Sequence, residues 1–186
     1  MKNFFAVLVL ALMLVVSHEA SACVGKVLYI GISNSPVEQL IAEMVATLVT
    51  ERTGTSVKIV SFKETKEVYA AARKGEIGLV IENRDRAFDV IGKPRDNNAK
   101  TGQETLKREY QKTLHMVWLD SLGGTPPYAP VLTTDTLSSL PALPKLLNKL
   151  SGILTEDAYN KLVKSARSDE KPKKVARDFL KAKRLI

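Results

Sequence analysis

Between residues 26 and 82 the chain alternates three short apolar, β-branched runs with two amphipathic ones, and the joints are only a few residues long. Residues 26–33 (KVLYIGIS), 56–62 (SVKIVSF) and 77–82 (IGLVIE) read as strands. Val37, Leu40, Ile41, Met44, Val45 and Leu48 recur at helical spacing behind Pro36, which suits a first turn, and Ser35, which suits an N-cap. Gly54 ends that helix. A second helix spans residues 65–74, with Val68, Ala71 and Ala72 on its inner face, and Gly75 stops it. Strands joined by helical crossovers lie parallel, with right-handed connections. The pattern therefore predicts an α/β lobe: a mostly parallel sheet flanked by helices, with its ligand edge at the C-terminal ends of the strands.

The first 22 residues stand apart. Lys2 is followed by an apolar run over residues 4–16, too short to span a bilayer comfortably, and then by Ala20-Ser21-Ala22. This is the pattern of a secretory signal. Cys23, the sole cysteine, falls at the first mature position. Two readings stand open: lipidation of Cys23, which tethers the chain to a membrane, or ordinary cleavage after Ala22, which leaves a free thiol. A lone cysteine allows no disulfide within the monomer, so the core must hold by burial. The formal charge of the 186 residues is +8. An exported chain meets little nucleic acid, so much of that charge reads as a solvated helix surface near the C-terminus. Contact with a membrane is expected only through a lipid anchor or a partner.

Downstream of residue 82 the punctuation changes. Residues 83–103 are polar and poorly periodic and read as a loop, with a short helical turn near residues 87–91. Residues 104–115 read as a helix and 116–120 (MVWLD) as a short strand. Residues 121–130 (SLGGTPPYAP) break every pattern, and residues 129–134 form another strand. Three helices are expected to close the chain, over residues 136–152, 155–168 and 171–185. Pro141 and Pro144 punctuate the first, and Thr155 caps the second.

Chemistry is sparse. His115 is the one histidine after residue 22, and a lone histidine at a helix end is ordinarily a cap or a surface group. Neither an N/S zinc site nor a catalytic triad can be assembled from it, and there is no phosphate-binding loop. No cofactor, metal or enzymatic activity is expected. The carboxylates Glu38, Glu43, Glu76, Glu82, Asp85 and Asp89 show no spacing that singles out a catalytic pair. What remains is Ser33-Asn34-Ser35, a strand end leading into a helix N-terminus. It serves either as a grip for an acceptor or anion, or simply as a helix cap.

Three segments, in order, look familiar. The first is Ile30-Gly31, then Ser33-Asn34, Glu38-Gln39, Ile41, Ala42 and Glu43. The second is AARKGEIGLVIE, residues 71–82. The third is the tail, with Leu132, LPKLLNKLSGILT at 143–155 and VARDFL at 175–180. With them the chain resembles the substrate-binding proteins of glycine betaine, carnitine and choline ABC transporters, the osmoprotectant-binding branch of the type 2 periplasmic binding proteins. The resemblance implies an exported component that works with an ABC permease and binds a small solute, either a quaternary amine or a small anion. It places Ser33, Asn34, Ser35, Glu38 and Glu82 on the ligand face.

Two departures accompany it. The family's Tyr-x-Glu-Tyr-Thr-Gly stretch, whose rings help cage a trimethylammonium group, is here Val80-Ile81-Glu82-Asn83-Arg84-Asp85. Glu82 is kept, the tyrosines are not, and Arg84 and Arg86 disfavour a cation. Family members also carry a second lobe between the outgoing and returning strands. Here only SLGGTPPY lies between Asp120 and Ala129. Residues 23–186 are accordingly expected to form a single lobe, with residues 121–130 as a loop in place of the second. Half a clamp binds weakly unless a partner or a second copy, as a homodimer, supplies the other wall. The alternative reading is a cell-envelope interaction module, derived from a solute-binding protein, that no longer binds solute.

Overall fold

The computed structural model describes residues 27–96, 98–166 and 171–186. The signal expected over residues 1–22 and the lipidation candidate Cys23 lie outside the described residues.

The alternating segment folds as its pattern demands. β1 (Leu28–Ser33) leads into α1 (Pro36–Thr53), β2 (Val57–Phe62), α2 (Thr65–Arg73) and β3 (Leu79–Asn83). β1 pairs in parallel with β2 on one side and β3 on the other, with Ile30 opposite both Ile59 and Leu79. The chain continues through α3 (Arg84–Val90), α4 (Ala99–Glu109), a π-helical turn (Tyr110–Leu114), β4 (Met116–Trp118) and β5 (Tyr128–Thr133). The sheet order is β2-β1-β3-β5-β4. β5 is antiparallel to both β3 and β4, so four strands share one direction and β5 alone runs against them.

Alternation along the strands divides the core into two layers. Leu28, Ile30, Ile32, Leu79, Ile81 and Leu132 face α1 and the C-terminal helices. Val80, Ala129, Val131, Met116 and Trp118 face α2, α3, α4 and Tyr110. α1 lies under a second helical layer, which is why Leu40, Met44, Val45 and Leu48 are at most 1% exposed. Burying each such side chain fully contributes about 1.5–3 kcal/mol. α2 sits close on β1 at Gly31, where a Cβ would meet Val68 Cγ1 at 2.9 Å.

The C-terminal half differs from its reading in ways that local chemistry explains. The expected loop over residues 83–103 contains two helix starts, because Asn83 and Asn98 each cap one. Asn83 Oδ1 accepts from the Arg86 N–H, and Asn98 Oδ1 accepts from the N–H groups of Lys100 and Thr101. His115 closes the π turn in a left-handed conformation, φ 54°. β4 is shorter than expected. Its ladder stops at Trp118 opposite Val131, and the next residue of β5, Pro130, has no N–H to continue it. The helix expected over residues 136–152 is three short pieces: α5 (Thr134–Ser139), α6 (Leu143–Leu147) and a 3₁₀ turn (Asn148–Leu150), with Pro141 in the break. α7 (Glu156–Ala166) and α8 (Pro172–Ala182) follow, and Thr155 Oγ1 accepts from the Ala158 N–H at the start of α7.

The β4–β5 connection is a compact hairpin end. The Leu119 N–H donates to the Pro130 carbonyl, Leu122 to Tyr128, and Tyr128 back to Gly123. The loop is tied down by the segment before α7. Leu154 N–H donates to the Leu122 carbonyl, and Gly124 N–H donates to the Leu154 carbonyl. Gly123 has φ +104°, and a Cβ there would collide with the Leu154 carbonyl oxygen, so a residue without a side chain is required at this point. Among the described residues no helix is long and apolar enough to cross a membrane.

Candidate functional site

The end of β1 and the start of α1 are built from Ser33, Asn34 and Ser35. Ser35 is the N-cap, and its hydroxyl accepts from the Glu38 N–H. Pro36 has no N–H, and the Gln39 N–H goes to the Ser35 carbonyl. Three of the first-turn positions thus offer no free donor to a ligand. Glu38, three residues past the cap, turns its carboxylate back. Its Oε2 accepts from both the N–H and the hydroxyl of Ser33, each at 2.8 Å. The S-x-x-E spacing of Ser35 and Glu38 is that of a capping box, but here the carboxylate accepts from Ser33 and the Ser35 N–H goes to the Ser33 carbonyl.

Glu82, at the end of β3, is fully buried, and Glu38 is 2% exposed. Arg86, one turn further along α3, joins them. Its Nε donates to Glu82 Oε1 at 2.5 Å; its Nη1 donates to Glu38 Oε1 at 2.6 Å and to Ser33 Oγ at 3.0 Å. Its Nη2 reaches the Ile81 carbonyl at 3.3 Å. The second oxygen of Glu82 accepts from the Tyr69 hydroxyl at 2.8 Å, and Tyr69 in turn meets the Tyr110 hydroxyl at 2.8 Å. Tyr110 packs edge-on against Trp118, with ring centroids 5.0 Å apart. A chain of polar contacts therefore runs from the β1 end through the sheet edge to the aromatic side chains beneath β4.

The electrostatics follow from burial. Loss of solvent pushes the Glu82 carboxyl up to about 7, although Arg86, Tyr69 and the Asn83 N–H each favour the ionised form. Burial alone would lower the Arg86 guanidinium, but Glu82 and Glu38 more than offset that and hold it above its ordinary value. Burial also drives the Tyr69 and Tyr110 hydroxyls well above the usual phenol range.

Of the sequence-predicted residues, Ser33, Glu38 and Glu82 are brought together, linked by Arg86. Ser35 is at the cap, and Asn34 faces solvent. Ser33, Asn34 and Ser35 line a shallow hollow of about 260 Å³, whose other walls include Gln39, Ser61 and Pro172. The residues that sequence reasoning missed are Arg86 as the connector, and Tyr69 and Tyr110 behind it. Glu82 and Arg86 stand four apart, but Glu82 ends a strand and Arg86 lies in the first turn of a helix, so helical spacing does not announce the pair. The two tyrosines gave no local signal, since their hydroxyls meet only in three dimensions.

A family model described as the substrate binding domain of the ABC-type glycine betaine transport system matches residues 26–129, more than half of the chain. No curated protein matches the sequence. Among solved structures, a crystal structure of a glycine betaine/carnitine/choline ABC transporter superimposes with a TM-score of 0.77 at 14% identity, covering 86% of this chain and 98% of that one. Apo YehZ from Escherichia coli superimposes with a TM-score of 0.75 at 14% identity, covering 87% of this chain and 100% of that one. At that identity the structural likeness is one of fold.

Proposed function

The chain belongs to the substrate-binding domain family of ABC-type glycine betaine transport systems, and from that premise we propose that it is an exported, single-lobe solute-binding component that works with an ABC permease. In this reading residues 1–22 direct export, and Cys23 is the position at which a lipid anchor would be attached. Residues 121–130 then take the place of the second lobe that the family resemblance implies. Ser33, Asn34 and Ser35 line the ligand face, while Glu38 and Glu82 shape it from beneath. The observation that carries the reading is the open hollow above β1. It is about 260 Å³, shallow and open to solvent, with Gln39, Ser61 and Pro172 as its other walls. A solute held from one side stays wet, so its affinity is low until a permease surface or another chain covers it. The ligand class is an osmoprotectant-type small solute. Calorimetry with glycine betaine, carnitine and choline should give dissociation constants on the order of 1 mM or weaker, tightening when the permease is present. Micromolar binding by the chain alone would refute the single-wall reading.

One observation favours a second reading, an envelope interaction module that no longer binds solute. Glu38, Glu82 and Arg86 satisfy one another, so none directs a free charge toward the hollow. Complete silence of the folded chain toward the solute panel, combined with retained capture of the permease, would select this reading over the first.

A further inference from the structure

Arg84 opens α3, and its backbone N–H donates to the Pro127 carbonyl at 2.9 Å, fastening the helix start to the β4–β5 hairpin. Its side chain lines a cavity of about 120 Å³, together with Gln103 and Leu106 of α4, Trp118, Ser121 and Ala129. The walls are mainly apolar: Leu106 is fully buried, Ala129 is 1% exposed and Trp118 is 5% exposed.

One nitrogen of the part-exposed guanidinium has no hydrogen-bond partner. Arg84 Nε is buried and makes no hydrogen bond to any described residue. The Asp85 carboxylate lies 4.0 Å from it, too far for a hydrogen bond, and also faces Arg95 at 3.8 Å. Asp96 feels the Arg84 charge, but its oxygens accept from the Thr101 hydroxyl and the Asn98 N–H. The Ser121 hydroxyl is already engaged with Tyr128 and Gly123. An arginine cannot shed its proton to escape such a position. A buried charged donor without an acceptor is unfavourable, and the relief available is an acceptor that comes from outside.

We propose that this cavity binds a small organic anion, a short-chain carboxylate, with its carboxylate on Arg84 Nε and its apolar end against Trp118 and Leu106. The volume sets the size. A dry cavity of about 150 Å³ holds benzene, so this one suits an anion of about five or six non-hydrogen atoms. A quaternary ammonium ion is disfavoured by the positive charge of Arg84. The site shares no residue with the hollow above β1 and does not depend on the function proposed for it.

Trp118 is the chain's sole tryptophan, so its fluorescence reports on this cavity directly. The full chain is titrated with sodium propionate, with total ionic strength held constant by sodium chloride. The expected result is a saturable fluorescence change with an apparent Kd on the order of 1 mM, as suits so few ligand atoms, and no such change with choline chloride. Arg84→Gln should weaken propionate binding at least about tenfold, the loss of one charge-assisted contact. Should Arg84→Gln fail to fold by circular dichroism, Ala99→Leu on the exposed rim keeps Arg84 and should abolish the response by blocking the mouth. The proposal is overturned by a linear or absent response of the folded chain, by an equal response to chloride alone, or by propionate binding of undiminished affinity in either folded variant.

Discussion

Arg84 and Arg86 stand two residues apart at the start of one helix, yet the fold treats them oppositely. Arg86 turns toward the β1–α1 junction and meets two buried carboxylates, a hydroxyl and a backbone carbonyl. Arg84 turns toward the β4–β5 hairpin and has a buried nitrogen without an acceptor. Both positions looked alike in sequence, as cations that would repel a cationic solute. The difference teaches that a charge near a binding edge matters only by what is left after its neighbours are counted. With Glu38 and Glu82 both ionised, the Arg86 region carries a net negative charge. With Glu82 protonated it is neutral. In neither case does Arg86 present a positive field.

The largest way to break the comparison is Arg86→Met. It would leave Glu38 and Glu82 buried without their shared cation, and removing one partner of a buried ion pair typically costs about 3–5 kcal/mol. Urea unfolding followed by circular dichroism should show that loss. A cost below about 1 kcal/mol would mean that Arg86 merely decorates the edge.

A smaller effect separates the two regions by pH. The Glu82 carboxyl is raised from 4.5 to about 7 in the folded chain, chiefly by burial. The folded state therefore holds this proton more tightly than the unfolded state does. The stability it contributes is fully present below the ordinary carboxylate pKa and is lost as pH rises through about 7. The protonated form has a place for its hydrogen. Glu82 Oε2 can donate to the Tyr69 hydroxyl, which can then donate to Tyr110. Glu82→Gln removes the titration, so the stability difference between wild type and variant should shrink by on the order of 1–3 kcal/mol between pH 4.5 and 7.5. A difference that is flat, or that grows with pH, would show that Arg86 keeps Glu82 ionised throughout.

The parts of this contrast that were legible in sequence are those with short-range causes. Ser35-Pro36 marks the start of α1, Gly54 and Gly75 mark helix ends, and the apolar alternation from 26 to 82 forces crossovers and a parallel pairing. The tight β4–β5 loop was legible because Gly123-Gly124 and Pro126-Pro127 suit little else. The starts of α3 and α4 were hidden because Asn83 and Asn98 sit in a polar run where caps and turns use the same residues. The connection of Arg86 to Ser33 and Glu38 spans 53 and 48 positions, so no local pattern could announce it. Tyr69 and Tyr110, 41 positions apart, are a further case of the same limit. Arg84 was visible as a charge, but its lack of an acceptor depends on α4 and the hairpin closing around it.

The smallest expected effect is the sharpest for the comparison. Arg84→Met keeps the long stem that packs along the cavity and removes a guanidinium whose buried Nε has no hydrogen-bond partner. No neighbouring carboxylate is left buried and alone, because Asp85 retains Arg95. Stability should therefore change by no more than about 0.5 kcal/mol, in the same urea titration that registers the Arg86→Met loss. Replacing an unsatisfied polar group by an apolar one of similar reach can even stabilise a fold. A loss above about 1.5 kcal/mol would mean that the chain itself already supplies the acceptor, and the two arginines would then differ in degree and not in kind.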